Sequence, residues 1–572
     1  MKVTGAEIVW ECLAREGVEV TFGYPGGANL PLFDAMLDSP IRNILPRHEQ
    51  GGAHMADGYA RASGRVGVAI GTSGPGATNL VTGIATAMMD SSPVVFITGQ
   101  VASPLIGFDA FQETDVTGIT LPITKHNYLV SKVEDINHVI REAFYIARTG
   151  RPGPVLVDIT KDAQQAKLEW TYDDSPIRLP GYRPDHSPTP PEYEQALEMI
   201  RSAKRPLILA GHGILQANAM AEVLEFAHRA QVPVALTLLG LGSFPASDPL
   251  HLGMMGMHGE AWVNQAIQEA DLLLAIGMRF DDRVTGNTRN YAVNAKKIHF
   301  EIDTAEINKN VKVDLALIGD LRQTLRKLLP HIEPLEHAVW IDRINANKGN
   351  VAVHDIQNLP DEGHLYAAHV INRLWQYTNG NALIVTDVGQ HQMWTAQYYH
   401  VEHPNRLITS GGLGTMGFGL PAAIGAKMAE PEAEVWSISG DGGFQMTMAE
   451  LATAAQEGIK VNAAIINNGF LGMVRQWQEF FYEKRYAATP IKSPDFVKIA
   501  EAMGLEGLRV TQLSEIEAAV RYAQQSPNSV VIDFKVEQED SVYPMVPAGA
   551  DLHNMIRRPK PSVLVETADD PF

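Results

Sequence analysis

One cysteine, Cys12, stands in 572 residues. Without a second thiol no internal disulfide can form, so a reducing compartment is the expected setting. Cys12 itself reads as a small apolar residue on a first helix. No run reaches the roughly 18 apolar residues of a membrane span. The N-terminus, Met1-Lys2-Val3-Thr4-Gly5-Ala6-Glu7, has neither the apolar stretch of a signal peptide nor the Arg/Ser-rich pattern of a transit segment. A cytoplasmic location, in a prokaryote or from an organelle-encoded gene, is therefore the expectation. Positive charge is in deficit, with 46 Lys and Arg against 66 Asp and Glu, a formal net charge of −20. Such a chain repels phosphate backbones and anionic lipid, which argues against nucleic acid and membrane surface as partners. It does not exclude an anionic substrate at a locally basic site. Short-period repeats of the solenoid kind are absent.

What is present is ordinary globular material, 45% hydrophobic and 20% charged, enough for about three domains. Residues 1–165 alternate Val/Ile-rich runs (41–45, 66–70, 94–98, 155–159) with helical patterns (51–63, 77–89, 136–148), the signature of a parallel sheet covered on both faces. Residues 166–192 carry Pro176, Pro180, Pro184, Pro188, Pro190 and Pro191 and read as a linker. A second α/β stretch, 193–340, has strands expected at 206–210, 232–236, 272–276 and 297–302. A polar linker, 341–365, follows. The third stretch, 366–540, has strands expected at 382–386, 435–439, 461–466 and 529–534 and a helix at 446–456. Residues 541–572 read as an arm or lid. The expected fold is α/β, three doubly wound parallel-sheet domains in series.

The third stretch carries the strongest motif. A strand ends in Gly440-Asp441-Gly442-Gly443, and the next strand ends in Asn467-Asn468-Gly469. The spacing is that of one strand–helix–strand unit, whose right-handed crossover brings both strand ends to one sheet edge. Asp441 and Asn468 would then face each other across a ligand crevice. A carboxylate and an amide oxygen are hard ligands for a magnesium ion that keeps diphosphate oxygens in its shell, and the glycines admit the diphosphate to the backbone at a helix start. Taken alone, Gly-Asp-Gly equally fits a tight turn. With Asn468 at the right distance, the pattern resembles the thiamine-diphosphate motif. That cofactor needs a carboxyl in a dry site at its pyrimidine to activate it. Glu49 in Arg47-His48-Glu49-Gln50 fits, although a helix-start glutamate stabilised by the dipole is the plain alternative. The Gly-rich turn from Thr72 to Asn79, with Pro75 and Asn79, reads as lining the pyrimidine pocket.

Further segments extend the likeness: Phe22 to Gly27, His48 to Gln50, Arg151 to Val155, Arg279 to Val284, Thr386 to Trp394, and Gly411 to Gly417. With these the chain resembles the catalytic subunits of acetohydroxyacid (acetolactate) synthases over essentially its whole length. The resemblance implies decarboxylation of pyruvate and transfer of the remaining two-carbon unit to pyruvate or 2-ketobutyrate, in branched-chain amino acid biosynthesis, with thiamine diphosphate, Mg2+ and FAD. Glu49, Gln112 and Lys161 are its implied catalytic residues. Val388, Gly389, Gln390, His391, Gly414, Leu471, Gly472 and Met473 would contact the thiamine cofactor, with Met416 beneath its thiazolium ring. Phe470 would add a backbone carbonyl to the metal ligands Asp441 and Asn468.

The central domain would bind a structural FAD through Arg151, Gly211, Gly213, Thr237, Leu238, His258, Gly277, Arg279, Asp281, Arg283, Val284, Glu301, Ile302 and Asp320. Glu301 departs from the aspartate found in many members. Gly27, Arg283 and Trp477 would meet substrate, Arg283 by gripping a carboxylate and Trp477 by favouring 2-ketobutyrate. A homodimer or tetramer is implied, with Glu49 of one chain meeting Asp441 of the other, and with a separate small regulatory subunit. The rival on the same scaffold is a flavin-dependent pyruvate oxidoreductase. A glyoxylate carboligase would lack the glutamate, which is present here as Glu49.

Overall fold

The computed structural model describes residues 2–348 and 363–558. They form three six-stranded, wholly parallel sheets, one per expected domain, and a small antiparallel pair of Lys2–Thr4 with Lys167–Glu169. The expected strands form within one or two residues of their anticipated bounds, as with Pro206–Ala210 and Leu272–Ile276. Near-continuous Val/Ile/Leu runs form them because both faces of each sheet are covered by helices.

Three local expectations are corrected. The segment 166–192 is not irregular throughout: Lys167–Glu169 is a strand, and Pro190–Ser202 is a helix opened by a Thr189/Glu192 capping box with proline in its first turn. The start of the second linker is helical, Ala338–Lys348, because Trp340 and Ile344 bury an apolar stripe against the central domain; residues 349–362 of that linker lie outside the described set. The helix expected at 446–456 is two, Asp441–Thr447 and Glu450–Glu457, so Asp441 is itself the first helical residue.

Strand order carries functional meaning. Numbered within each domain, the first and third sheets share the order 2-1-3-4-6-5, whereas the central sheet runs 3-2-1-4-5-6. The last is the dinucleotide-binding order. In each sheet the order reverses beside the first strand, and ligands bind at the carboxyl ends there. The three reversal points are at Gly23 and Gly71, at Ala210 and Ile276, and at Thr386 and Gly440.

The first and third domains pack directly through the crossing helices Glu49–Ser63 and Gly419–Ala429. Glycines make the close approach possible on both: a Cβ at Gly58 would overlap the Ala422 carbonyl, and one at Gly425 the Met55 carbonyl. One core joins these two domains, with Phe22, Met55, Phe418, Phe444 and Phe496 among its members. Among the described residues no helix is long and apolar enough to cross a membrane.

Candidate active site

The first half-site lies at the first sheet's reversal point. Gly26 abuts Thr72, and the Ala28 N–H donates to the Thr72 hydroxyl at 3.2 Å; Gly27 beside them faces open space. The Gly74 turn leads into the helix Pro75–Asp90. Glu49 opens its own helix, and its carboxylate accepts the Asn79 amide at 2.9 Å. A Cβ on Gly76 would stand 3.3 Å from the same carboxylate. The backbone of Gln112 lies against Gly74, 2.9 Å from an added Cβ. Glu49, Pro75, Asn79, Gln112 and Gly27 are thus brought to one place. Lys161 opens the helix Lys161–Gln165, whose Gln164 donates to the Ala28 carbonyl at 3.0 Å.

The second half-site lies at the third sheet's reversal point. Gly440 faces His391, whose Nδ1 would be 2.8 Å from an added Cβ. A Cβ on Gly442 would meet the Leu471 side chain at 2.7 Å and the Met416 methyl at 3.7 Å. One on Gly472 would overlap the Gln390 amide, which itself accepts from Asn468 at 3.1 Å. The glycines are therefore required by close approach, and they draw Gln390, His391, Met416, Asn468 and Leu471 around Asp441. Strand register sets Gly440 opposite Ile466, so Asp441 and Asn468 leave adjacent strands at one edge. Asp441 accepts the Ser493 hydroxyl at 2.6 Å, and burial raises its pKa. Asn468 accepts the Phe470 N–H at 3.1 Å, which turns the Phe470 loop back over the edge. His391 is buried with Nε2 unpartnered, and burial drives its pKa down to about 3. A neutral imidazole with a free nitrogen suits a polar ligand at this point.

Asp387 is the residue missed here. Fully buried, it accepts the N–H groups of Val388, Gly417 and Gly419 at 2.7–3.1 Å. Burial lifts its pKa to about 6 against those bonds. It fastens the Val388–Gly389 turn to the loop bearing Met416. The signal was a strand-end aspartate inside a segment otherwise read for its neighbours.

One cavity of about 910 Å³ is lined by the central domain, by Met89–Ser91 and Arg148–Pro152 of the first domain, and by the loops bearing Val388, Met416 and Trp477 in the third. Arg151, Gly213, Thr237, Leu238, His258 and Gly277 line one part of it, with Arg279, Asp281, Val284, Glu301, Ile302 and Asp320 alongside. Gly211 is not on the wall; it packs behind it, close enough that a Cβ would overlap the Gly277 carbonyl. Val388, Gly389, Gly414, Met416, Met473 and Trp477 line the other end, and Arg283 also reaches the cavity. Glu49, Asn79 and Gln112 do not, and neither do Gln390, His391, Asp441, Asn468 and Leu471.

Arg151 pairs with Asp303 at 3.2 Å and Glu306 at 2.9 Å. Asp281 caps its short helix by accepting the Arg283 and Val284 N–H groups at 3.0 and 3.1 Å. Glu301 accepts the Ile302 and Asp303 N–H groups through one oxygen at 2.9 and 3.2 Å, and burial raises its pKa to about 7. Its longer side chain thus folds back on its own turn. Burial lowers His258 to about 4, so the ring is neutral at physiological pH.

Three family models match the chain: thiamine pyrophosphate enzyme, N-terminal TPP binding domain, over residues 3–119; central domain, over 193–328; and C-terminal TPP binding domain, over 387–534. The acetolactate synthase large subunit of Corynebacterium glutamicum is 48% identical over 563 residues, covering 96% of this chain and 89% of that protein. The probable acetolactate synthase large subunit of Methanocaldococcus jannaschii is 46% identical over 562 residues, covering 97% and 95%. The acetolactate synthase of Arthrospira platensis is 45% identical over 573 residues, covering 97% and 98%.

Proposed function

This chain belongs to the acetolactate synthase large subunits of the thiamine pyrophosphate enzymes, and we propose that it decarboxylates pyruvate and joins the two-carbon remainder to pyruvate or 2-ketobutyrate. The observation that carries this reading is the shared cavity, in which Arg283 and Trp477 line the same space as Gly414 and Met416. An arginine for a carboxylate and an aromatic wall for a short alkyl group are what a 2-ketoacid acceptor requires.

The residues fit the cofactors. When bound, thiamine diphosphate supplies the nucleophilic carbon and the electron sink for decarboxylation. Gln390, His391, Gly440 and Gly442 would hold its diphosphate, and Asp441, Asn468 and the Phe470 carbonyl would hold Mg2+, a hard-oxygen set. Met416 would support the ring system. Glu49, kept in place by Asn79, would hold a proton at the pyrimidine ring nitrogen. The dinucleotide-type strand order and the glycine approach at Gly211, Gly213 and Gly277 support FAD in the rest of the cavity.

The active unit is a homodimer in this reading. Glu49 lies against Gly76 and Asn79, and neither it nor Asp441 lines the cavity. The chain's own third domain meets both ends of this helix, Glu450 accepting the Arg47 and His48 N–H groups at 3.0–3.1 Å and the Thr409 carbonyl accepting Arg61 at 2.6 Å. Exposed apolar side chains flank both half-sites, Phe108 and Phe111 at 77% and 88% on one, Met446 and Val474 at 59% and 48% on the other. A second copy would cover them and complete each site. A tetramer would pair such dimers. A separate small subunit would bring feedback inhibition by branched-chain amino acids, tested by co-purification and valine titration of the reconstituted enzyme.

The decisive experiment is acetolactate formation from pyruvate with thiamine diphosphate, Mg2+ and FAD omitted in turn. The expected result is product that requires all three without oxygen uptake. Product without FAD would overturn the flavin assignment, and oxygen uptake with acetate or acetyl phosphate would replace the synthase with a pyruvate oxidase.

A further inference from the structure

Beyond the sites above, a run of polar contacts, buried at the Gln476 end and partly exposed at the Asp551 end, links the Trp477 helix to the Arg283 helix through the chain's last described segment. Gln476, fully buried next to Trp477, donates to the Val542 carbonyl at 3.1 Å and accepts the Val542 N–H at 2.7 Å. Its oxygen also accepts from Gln390 at 2.9 Å. Arg475, equally buried, donates to the Asp540 carbonyl at 2.8 Å. Four residues after Val542, the Val546 N–H donates to the Met257 carbonyl at 2.8 Å, and the Met257 N–H in turn donates to the Arg283 carbonyl at 2.7 Å. Further on, the Ala550 carbonyl accepts the Asn287 N–H at 2.9 Å, and Asp551 accepts the side-chain amides of Asn287 and Asn290 at 2.9 Å each. Val542, Met545, Val546 and Leu552 are buried beneath these contacts.

A four-residue span reaches at most about 14 Å. The distance between the wall bearing Trp477 and the wall bearing Arg283 is therefore set by a short tether, tied by the Gln476 side-chain amide at one end and by a backbone hydrogen bond to Met257 at the other. A contact that spans such a gap controls how well one extra methylene fits, which is the scale of discrimination an apolar wall supplies.

We propose that residues 540–551 are a strap that sets the width of the acceptor chamber, and that Gln476 and Asp551 are positioning residues for acceptor specificity. This rests on the acetolactate synthase reading and adds to it a device outside the cavity walls. Gln476 acts through Trp477 and Asp551 through Arg283.

The test is competition between pyruvate and 2-ketobutyrate on the full-length holoenzyme, read as the ratio of the two hydroxyacid products. Asp551→Ala frees the far end at a partly exposed position and spares the core; Gln476→Ala frees the near end. In both, the discrimination between acceptors is expected to move at least about 3-fold toward unity, while each variant still makes acetolactate from pyruvate alone. Gln476→Ala has the larger effect, because it removes both hydrogen bonds to Val542. The Asp551→Asn variant, which keeps one acceptor oxygen, is expected to recover part of the discrimination. Active variants with the wild-type product ratio would overturn the strap. Wild-type enzyme making no acetolactate would instead overturn the functional reading on which it rests.

Discussion

The Arg61 guanidinium donates to the Asp90 carboxylate at 2.8 Å, and together they hold a loop of another domain. Arg61 also pairs with Asp57 at 2.7 Å and donates to the Thr409 carbonyl at 2.6 Å. Asp90 accepts the N–H groups of Gly411 and Gly412 at 3.1 and 2.6 Å. The side chains are almost wholly buried. The loop they fasten leads directly to Gly414 and Met416, so an ion cluster in the first domain fixes the height of a wall in the third domain's site.

Removing Asp90 would strand Arg61 with one carboxylate fewer in a dry interface. Breaking a buried pair in this way costs about 3–5 kcal/mol. Asp90→Ala is expected to lower the urea midpoint accordingly, and Arg61→Lys to lower it as well, since a lysine cannot reproduce the forked contact with Asp57 and Asp90. An unchanged midpoint in Asp90→Ala would mean that the cluster does not hold the domains together.

A site built from Glu49 of one chain and Asp441 of another makes a complementation prediction. Glu49→Gln and Asp441→Asn chains are each expected to lose activity by about 10²-fold or more, since proton transfer or metal binding fails at every site. Mixed at equal amounts and allowed to exchange subunits, half the dimers are heterodimers with one intact site each, so about a quarter of wild-type activity is expected to return. No recovery, with exchange verified by tagged chains, would place both residues in one chain's site.

Trp477 lines the cavity while packing, tilted, against Phe481 with ring centroids 5.2 Å apart. If the cavity face governs, Trp477→Leu is expected to reduce preference for 2-ketobutyrate about 10-fold, within the 1–3 kcal/mol that a methylene contact supplies. Turnover of pyruvate alone would change little. A variant that loses stability but keeps its product ratio would mark Trp477 as packing only.

Glu301 gives a pH signature. Its folded pKa, about 7, lies above the ordinary 4.5 because burial disfavours its charge. The folded state then binds more protons than the unfolded one between these values, so its contribution to stability is present below about pH 4.5 and is lost as pH rises to about 7. Glu301→Gln retains an oxygen for the Ile302 and Asp303 N–H groups. It is expected to be more stable than wild type at pH 7.5, with a shallower fall in the melting temperature of the cofactor-free chain from pH 5 to 7. Parallel curves for the two proteins would show that Glu301 carries no such penalty.

Much of this protein is legible in its sequence. Continuous apolar runs such as 272–276 predict buried parallel strands because both faces of the sheet must be covered, and the interval from Asp441 to Asn468 predicts adjacent strand ends because one crossover unit has a nearly fixed length. Those are local or near-local properties. The helix break at Thr447–Glu450, the strand at Lys167–Glu169 and the helix over Ala338–Lys348 depend on partners distant in the chain, and periodicity alone did not reveal them. The roles of Asp387, Asp90 and Gln476 were also hidden, since an aspartate or glutamine has no signature until the backbone groups it satisfies are brought to it. Residue chemistry and spacing thus marked Asp441 and Asn468 as candidates to meet a metal and a diphosphate, and the family resemblance added Arg283 and Trp477 as candidates to meet a 2-ketoacid. Only tertiary structure decided that the central-domain crevice and the Trp477 wall share one cavity, and that Glu49 and Asp441 both stand outside it. Those facts follow from how three sheets pack and from where the last segment of the chain crosses them.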